Sequence, residues 1–247
     1  MSTRVGSRHL GDRAIARAPA ARATVLTPPP TAAERSAAIR GAALRCFVDK
    51  GYHATSVRDI ARSASSSVAS IYHHFPSKLD ILFDLMDVVL TDLVEDTEHA
   101  VAAAGDDPRA RLRAAVGTHV VFHCERQDES FVGQNELRSL APRMRKRIVA
   151  KRDAQESIFN NAVRDIAATE ANIVYPREAT RAIVTMCSAV AQWYRTGGEL
   201  TPQELADRYA ELALAMLGAV SAGIVATDPR PTTAAALARS PLMHGGR

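Results

Sequence analysis

The chain has 247 residues, 47% of them apolar and 23% charged, which is the composition of a globular protein long enough to bury a substantial core in one domain or two. Positive charge is concentrated towards the N-terminus: residues 1–30 carry five arginines against Asp12, and residues 31–78 carry seven Lys and Arg residues against three acids. Such a local positive field favours a polyanionic partner, either nucleic acid or a membrane surface.

The cysteines and the hydropathy pattern argue against several other classes of protein. Cys46, Cys124 and Cys187 are far apart and form no CxxC pair, so neither a disulfide framework nor a structural zinc site is expected. The N-terminus has no apolar stretch of signal-peptide type. The longest uncharged run, residues 212–227, is shorter than the roughly 17–25 residues of a membrane-spanning helix. We therefore expect a cytoplasmic protein and interpret this run as a buried helix.

The two ends of the chain have compositions that cannot bury much apolar surface. Residues 1–30 are rich in Arg, Ala and Ser and end in three consecutive prolines, and residues 228–247 contain three prolines and a Gly-Gly pair. We predict that the first segment is a disordered basic arm and the second a disordered tail.

Apolar residues recur with a helical period over most of the chain between these ends. Four of them at i, i+4, i+7 and i+8 predict a first helix: Ile39, Ala43, Cys46 and Phe47. Gly51 is expected to end that helix. Thr55 is placed to cap a short second helix. The serines at residues 65–67 then interrupt the pattern.

A third short helix and a long fourth one follow this break. The stripe of the third helix repeats at i, i+3, i+4 and i+7: Val68, Ile71, Tyr72 and Phe75. Pro76 should stop that helix, because a proline cannot continue it. Ser77 and Asp80 have the spacing of a capping box, so we expect the fourth helix to begin there.

Beyond a turn at residues 105–108, five further helices are predicted, over about residues 109–126, 131–140, 143–168, 177–196 and 203–224. Prolines and glycines mark most of the breaks between them. No alternating strand pattern of any length is present. We therefore predict an all-α fold of about nine helices, with an N-terminal domain at residues 31–78 and a second domain at residues 79–227.

The second and third predicted helices have the lengths and the short turn of a helix-turn-helix unit, whose second helix enters the DNA major groove. The serines at residues 65–67 supply the small side chains that such a turn demands. Ser67 can cap the recognition helix and offer its hydroxyl group to a phosphate. Val68, Ala69, Ser70 and His73 fall on or near the outward face of this helix.

Three runs in this region, AALRCF at residues 42–47, GYHATSVRDIA at 51–61 and SIYHHFPSK at 70–78, together resemble the DNA-binding domain of TetR-family regulators. The resemblance covers about residues 35–82. One departure concerns the turn, because the family commonly has a Gly and an apolar residue where this chain has Ser65 and Ser66. The contacts made by that turn therefore stay open.

The resemblance implies contacts to phosphates or bases from five residues: Thr55, Ser67, Tyr72, His73 and Lys78. Val68, Ala69 and Ser70 are the candidate base readers, and the thymine methyl group suits the first two. The alternative for individual residues is structural. Tyr72 could be a core aromatic, and His73 could belong to a merely polar helix end.

The resemblance also implies that the later helices form a ligand domain and that the last two pair with their copies in a homodimer. One predicted stripe contains Ile183, Met186, Cys187, Val190, Trp193 and Tyr194. The other contains Leu205, Tyr209, Leu212, Met216 and Val220. The alternative is that both stripes are ordinary core.

Catalysis and metal binding find little support. His119 and His123 are spaced to chelate one ion, but no third ligand stands at a standard spacing, so we expect no metal site. No phosphate-binding glycine loop, nucleophile elbow or paired carboxylates are recognisable, so we expect neither an enzyme nor a cofactor. The rival reading is an architectural DNA-binding protein that has no effector.

Residues 135–147 resemble TetR regulators of fatty-acid and sterol catabolism, some of which respond to acyl-CoA thioesters. The implied function is repression from a palindromic operator that an acyl-CoA-type effector relieves. Six apolar residues are candidates for the effector cavity: Phe122, Phe131, Leu137, Met144, Phe159 and Trp193. Arg145 and Arg152, within a basic run at residues 143–152, could hold the CoA phosphates. The alternative for this run is a solvated helix face.

Overall fold

The computed structural model describes residues 30–170, 173 and 175–223. The predicted tail, and the predicted arm apart from Pro30, lie outside these residues. Nine α-helices and one 3-10 turn make up the regular structure of the described part, which contains no strand and confirms the all-α prediction. None of these helices is long and apolar enough to cross a membrane.

Three short or medium helices and one long helix form the N-terminal part. They are α1 (Ala32–Lys50), α2 (Val57–Ser63), α3 (Val68–His74) and α4 (Lys78–Ala103). Gly51 follows α1 with a φ of 82°, a conformation that glycine adopts without strain, so the predicted end of α1 is confirmed.

The caps of these helices match the sequence in two cases out of three. Ser67 caps α3 by accepting from the Ser70 amide, and Ser77 caps α4 by accepting from the Asp80 amide. The expectation that Thr55 caps α2 was wrong. Ser56 is the cap and forms a full capping box with Asp59, because the Thr55 side chain is turned inward.

Five helices complete the fold. They are α5 (Pro108–Glu125), α6 (Gln127–Asn135), α7 (Pro142–Glu170), α8 (Pro176–Trp193) and α9 (Pro202–Gly223), with a 3-10 turn at Leu137–Ser139 before α7. The predicted helix over residues 131–140 was misplaced. The chain bends at Arg126, where φ is -114° and ψ is 47°, so α6 starts only one residue later and ends before the 3-10 turn.

Two large buried clusters and one of three residues stabilise the described part of the chain. The first joins the inner faces of α1, α2 and α3 to the beginning of α4. It also includes Val132, Leu140 and Ile148 from later in the chain, so this core extends past residue 78. The second lies between α5, α7, α8 and α9. The three cysteines are buried and unpaired.

Candidate functional site

The turn between α2 and α3 is a Schellman motif with serine in the position that usually holds glycine. The Ser66 amide donates to the Ala61 carbonyl at 2.9 Å, and the Ser65 amide donates to the Arg62 carbonyl at 3.2 Å. Ser65 has a φ of 50° and is the one non-glycine residue with positive φ in the described part of the chain. A side chain in this conformation costs roughly 1–2 kcal/mol, so the turn keeps its geometry at the expense of strain.

Helix α3 is fixed on its inner face and accessible on its outer face. Ile71 is fully buried, and Phe75 just after the helix is also buried. On the opposite side, Ala69, Tyr72 and His73 are exposed. The Tyr72 side chain is 51% exposed, so the alternative that it is a core aromatic does not hold.

The remaining α3 candidates lie at the edges of this outer face. Ser67 is exposed, and its hydroxyl oxygen accepts the Ser70 amide proton at 3.0 Å. Val68 and Ser70 are half-buried. The short helix therefore presents small neutral side chains with an aromatic hydroxyl and an imidazole beside them, which suits a groove-reading surface.

Thr55 and Lys78 hold the fold and do not belong to this outer face. Thr55 is 2% exposed, and its hydroxyl lies 3.0 Å from the Cys46 carbonyl oxygen and 2.8 Å from that of Gly51. The Lys78 ammonium donates to the carbonyls of Tyr52 at 2.6 Å and Thr55 at 2.7 Å. It also stands 4.3 Å from the centre of the Tyr52 ring.

The burial of Thr55 corrects the phosphate role expected of it, whereas a phosphate contact from the half-buried Lys78 stays a prediction. The Thr55 proton is directed at backbone oxygens inside the domain. The Lys78 ammonium group donates its hydrogen bonds to the loop between α1 and α2, and burial lowers the pKa of this group. Both residues thus position the helix-turn-helix unit, and Lys78 ties the start of α4 to it.

A cavity of ≈ 440 Å³ lies between α4, α5, α6, α7 and α8. Its apolar wall comes mostly from α4 and α5: Leu85, Met86, Val89, Leu90, Leu93 and Phe122. Polar side chains from α5, α6 and α7 complete the lining, including His119, Ser130, Arg152 and Gln155. Apolar walls with a few polar groups are the usual composition of a small-molecule site.

Two of the predicted effector residues line this cavity, and the others do not. Phe122 and Arg152 are part of its wall. Phe131 and Trp193 are 53% and 51% exposed and lie on the surface instead. Their helical spacing could not distinguish an inward face from an outward one, because both are large and apolar.

The other four predicted effector residues also lie elsewhere. Leu137 and Met144 pack against the N-terminal core, whereas Arg145 is exposed. Phe159 is fully buried in the second core, where its ring meets that of His119 edge to face at 5.3 Å. It therefore supports the cavity wall from behind.

A hydrogen-bond network crosses the polar side of the cavity. Gln155 Nε2 donates to Thr97 Oγ1 at 2.9 Å and lies 3.2 Å from His119 Nδ1. His119 Nε2 lies 2.9 Å from Ser188 Oγ. Two buried atoms of lining residues have no hydrogen-bond partner, Gln155 Oε1 and Ser130 Oγ. Such atoms are costly to leave unpaired, so a water molecule or a ligand group is expected to complete the network.

Burial favours the neutral form of two histidines on this side of the cavity. His119 and His123 stack with ring centres 4.3 Å apart. Burial lowers the pKa of His119 well below its ordinary value, and the neighbouring His123 lowers it further. Burial also lowers the pKa of His123. No group of three or more potential ligand side chains suited to a metal ion occurs in the described residues.

Arg152 contributes the cationic group of the cavity wall. Its Nη2 donates to the Gly133 carbonyl at 2.7 Å, and burial lowers the pKa of the guanidinium group. It forms no ion pair with any residue in the part of the chain that the structure describes. An anionic or strongly accepting group of a ligand could satisfy its remaining donors.

The basic run predicted to hold phosphates is divided between three environments. Lys151 lies 2.9 Å from Asp87 Oδ1, and Arg147 lies 3.5 Å from the other oxygen of that carboxylate, so both side chains tie α7 to α4. Arg145 is exposed. Of the two arginines proposed as phosphate ligands, Arg152 alone reaches the cavity.

The interpretation of the sequence missed Gln155 and Ser130. Gln155 lies three residues after Arg152 and four before Phe159, on the stripe of α7 that includes buried Ile148. A polar residue between apolar Ile148 and Phe159 on one helical stripe was a signal that the spacing could have given. Ser130 offered no comparable signal, because small polar residues are common on either face of a helix.

Comparison with known proteins identifies the family. The description "Bacterial regulatory proteins, tetR family" matches residues 39–85, and "Tetracyclin repressor-like, C-terminal domain" matches residues 105–217. The crystal structure of a tetR-family regulatory protein from Rhodococcus RHA1 is 30% identical, with a TM-score of 0.67 over 74% of this chain and 97% of that one. The chain belongs to the TetR family.

Two further relatives of this TetR-family chain carry informative descriptions. The HTH-type transcriptional repressor KstR2 of Rhodococcus jostii is 27% identical over 199 residues, which is 76% of this chain and 96% of the relative. AibR, whose crystal structure is a complex with isovaleryl coenzyme A and operator DNA, is 25% identical, with a TM-score of 0.65 over 72% of this chain and 97% of that one. The α1–α3 unit is accordingly a helix-turn-helix DNA-binding domain of a transcription regulator.

Proposed function

We propose that this TetR-family chain is a ligand-responsive repressor that binds a palindromic operator as a homodimer and leaves it when an effector enters the cavity. The observation that carries the proposal is the outer face of α3, which is accessible while its inner face is locked into the core. For two copies of this helix to read one face of the duplex, half-site centres about 34–36 Å apart, or a multiple of that, are required.

The outer surfaces of α8 and α9 support a dimer. Trp193 and Leu212 are 51% and 53% exposed. Tyr209 and Met216 are half-buried: the Tyr209 ring lies 6.4 Å from that of Trp193, and Met216 follows Leu212 by one helical turn. Ile183, Cys187 and Val190 from the predicted α8 stripe are instead core residues of the subunit. Only part of each predicted stripe is therefore available to a second copy, and large exposed apolar side chains are typical of such interfaces.

Helix α4 gives the effector a route to the DNA-binding domain. Its first residue, Lys78, is bonded to the loop that precedes α2, and Leu85, Met86 and Val89 further along line the cavity. A ligand that moves this wall must move the start of the helix as well. A coupling free energy of about 1–3 kcal/mol would change operator affinity some 5–150-fold.

Helix α6 provides a second connection. Ser130 and Gly133 line the cavity, while Val132 between them is buried in the N-terminal core. Just after the helix, Ser139 Oγ lies 3.3 Å from His53 Nε2 in the loop between α1 and α2. An architectural DNA-binding protein would need neither this cavity nor these connections, which favours the regulator over that alternative.

The effector is proposed to be an acyl-CoA-type molecule. A cavity of ≈ 440 Å³ suits an acyl group, so the CoA moiety would remain outside. Arg152 stands in the wall, and exposed Arg145 lies two helical turns, roughly 10 Å, before it on the same side of α7. The AibR complex with isovaleryl coenzyme A is the relative that supports this class of ligand.

The experiment is a titration of the protein–operator complex with acyl-CoA thioesters and with the matching free acids. Thioesters should release the DNA at lower concentration than the acids, and Arg145→Gln should reduce that difference. Arg164→Gln, at an exposed position towards the end of the same helix, is the matched control. If thioesters of every chain length and ring type leave the complex intact, the acyl-CoA assignment fails while the repressor assignment stands.

A further inference from the structure

We propose that the cavity selects a ligand that carries a hydroxyl group on its buried apolar part, with Gln155 Oε1 as the acceptor. This rests on the proposed function in taking the cavity as the effector site. Gln155 is 3% exposed, it lines the cavity, and its Oε1 has no hydrogen-bond partner among the described residues. Whether this atom accepts or donates depends on the orientation of the amide group.

Thr97 fixes the orientation of that amide. Its Oγ1 lies 2.7 Å from the Leu93 carbonyl, which can only accept, so the hydroxyl proton points there. The hydroxyl oxygen is then an acceptor for the group facing it at 2.9 Å, and that group must be the Gln155 Nε2 donor. The opposite end of the amide, the buried atom without a partner, is consequently the carbonyl oxygen.

His119 is consistent with this orientation. The second proton of Gln155 Nε2 points to His119 Nδ1 at 3.2 Å, which requires that nitrogen to be unprotonated. The remaining ring proton then lies on Nε2, from which it is donated to Ser188 Oγ at 2.9 Å. The network from Leu93 to Ser188 is thus satisfied in one direction, with Gln155 Oε1 as its open acceptor.

The open acceptor discriminates between ligand oxygens. A ligand hydroxyl can donate its proton to Oε1, whereas a ketone or ester oxygen would face it with no proton between them. The unpartnered Ser130 Oγ belongs to another residue of the same lining and can donate or accept a hydrogen bond. It can therefore donate to the oxygen of the same ligand hydroxyl or bond to another ligand oxygen. The apolar wall from α4 selects the rest of the molecule.

The test compares two probes of nearly equal size, 4-tert-butylcyclohexanol and 4-tert-butylcyclohexanone, by calorimetric titration of the intact protein without DNA. The alcohol should bind about tenfold more tightly, since a hydrogen bond to an otherwise unpaired buried acceptor is worth roughly that factor. Equal affinities, tighter binding of the ketone, or no binding of either probe at millimolar concentration would overturn the proposal.

Two variants separate the orientation argument from a general loss of packing. Gln155→Leu should abolish the preference for the alcohol, whereas Gln192→Leu, the same substitution at an exposed lining position, should preserve it. Thr97→Val is nearly isosteric and does not line the cavity, yet it frees the amide to rotate. It should reduce the preference to about twofold or less. An unchanged preference in Thr97→Val would contradict the assigned orientation.

The outcome is distinguishable from a failure of the repressor proposal, because the probes are titrated in the absence of DNA. If the alcohol is preferred but does not weaken an operator complex, the cavity chemistry stands and its regulatory role fails. If the operator complex responds to ligands with no preference for a hydroxyl group, only the inference about Gln155 fails.

Discussion

The backbone of Ser65 is strained, and a single substitution by glycine should relieve the strain. Because its φ of 50° is tolerated far better by glycine, Ser65→Gly should raise the free energy of unfolding by about 0.5–1 kcal/mol, the gain at the turn minus the added entropy of the unfolded chain. Urea unfolding measures this. Ser66→Gly is the matched control and should be neutral or destabilising. Destabilisation by Ser65→Gly would show that the serine side chain makes a contact worth more than the strain.

His119 makes stability depend on pH on the acidic side of neutrality. The pKa of His119 is lowered in the folded state, whereas in the unfolded chain it has the ordinary value of about 6.5. As the pH falls, this imidazole therefore binds a proton in the unfolded chain first. Stability should therefore be fully present above about pH 6.5 and fall as the pH drops below it. Asp59, whose pKa is also lowered, acts in a separate window below about pH 4.

The measurement is urea unfolding at pH values between about 7.5 and 5.5, where each buried neutral histidine contributes at most about 1.4 kcal/mol per pH unit. His119→Gln should flatten this dependence, and His99→Gln at an exposed position controls for the substitution itself. A pH dependence as steep in His119→Gln as in the wild type would mean that His119 is not the group responsible.

At the scale of elements, the proposed function requires the outer face of α3 to meet the phosphate-lined groove. Ala69 is exposed at its centre, so Ala69→Asp places a negative charge against DNA without disturbing the core. Operator affinity should fall by at least about 100-fold, since like charges brought together at an interface cost several kcal/mol. Ala154→Asp, also exposed within a helix, should bind DNA like the wild type. Fluorescence anisotropy with labelled duplex measures both, and equal affinities would remove α3 from the interface.

The helices themselves were largely predictable, because their signals are local. Ser67 and Ser77 cap their helices as the spacing indicated, and Gly51 ends α1. Thr55 was misjudged because a threonine beside a serine gives the same local signal, and packing decided which hydroxyl turned outward. The cavity was mostly beyond prediction: Leu85, Ser130 and Gln155 come from three helices that meet only after folding.

At the scale of the whole molecule, the two cores are connected by more than the chain that joins them. Ile81 and Leu82 of α4 pack into the N-terminal core, and Val89 and Leu93 of the same helix pack with Phe122 beside the cavity. Val132 and Ile148 reach the N-terminal core from α6 and α7. The predicted boundary at residue 78 therefore lies inside the N-terminal core, because Ile81, Val132 and Ile148 belong to that core.

These connections would make the helix-turn-helix unit sensitive to what fills the cavity. An apolar ligand against Leu85 and Val89 acts on the same helix whose first turn, through Lys78, holds the loop before α2. For regulation, that ligand must bind the conformation with wrongly spaced recognition helices more tightly than the DNA-bound one. DNA binding and ligand binding should therefore oppose each other.

The most direct test is footprinting of the purified protein on the DNA upstream of its own coding sequence, set against random duplex at the same salt concentration. The expected result is a protected palindrome bound at least about 1,000-fold more tightly than random duplex, with loss of protection in Ala69→Asp but not in Ala154→Asp. Binding to random duplex as tight as to the upstream DNA would contradict it.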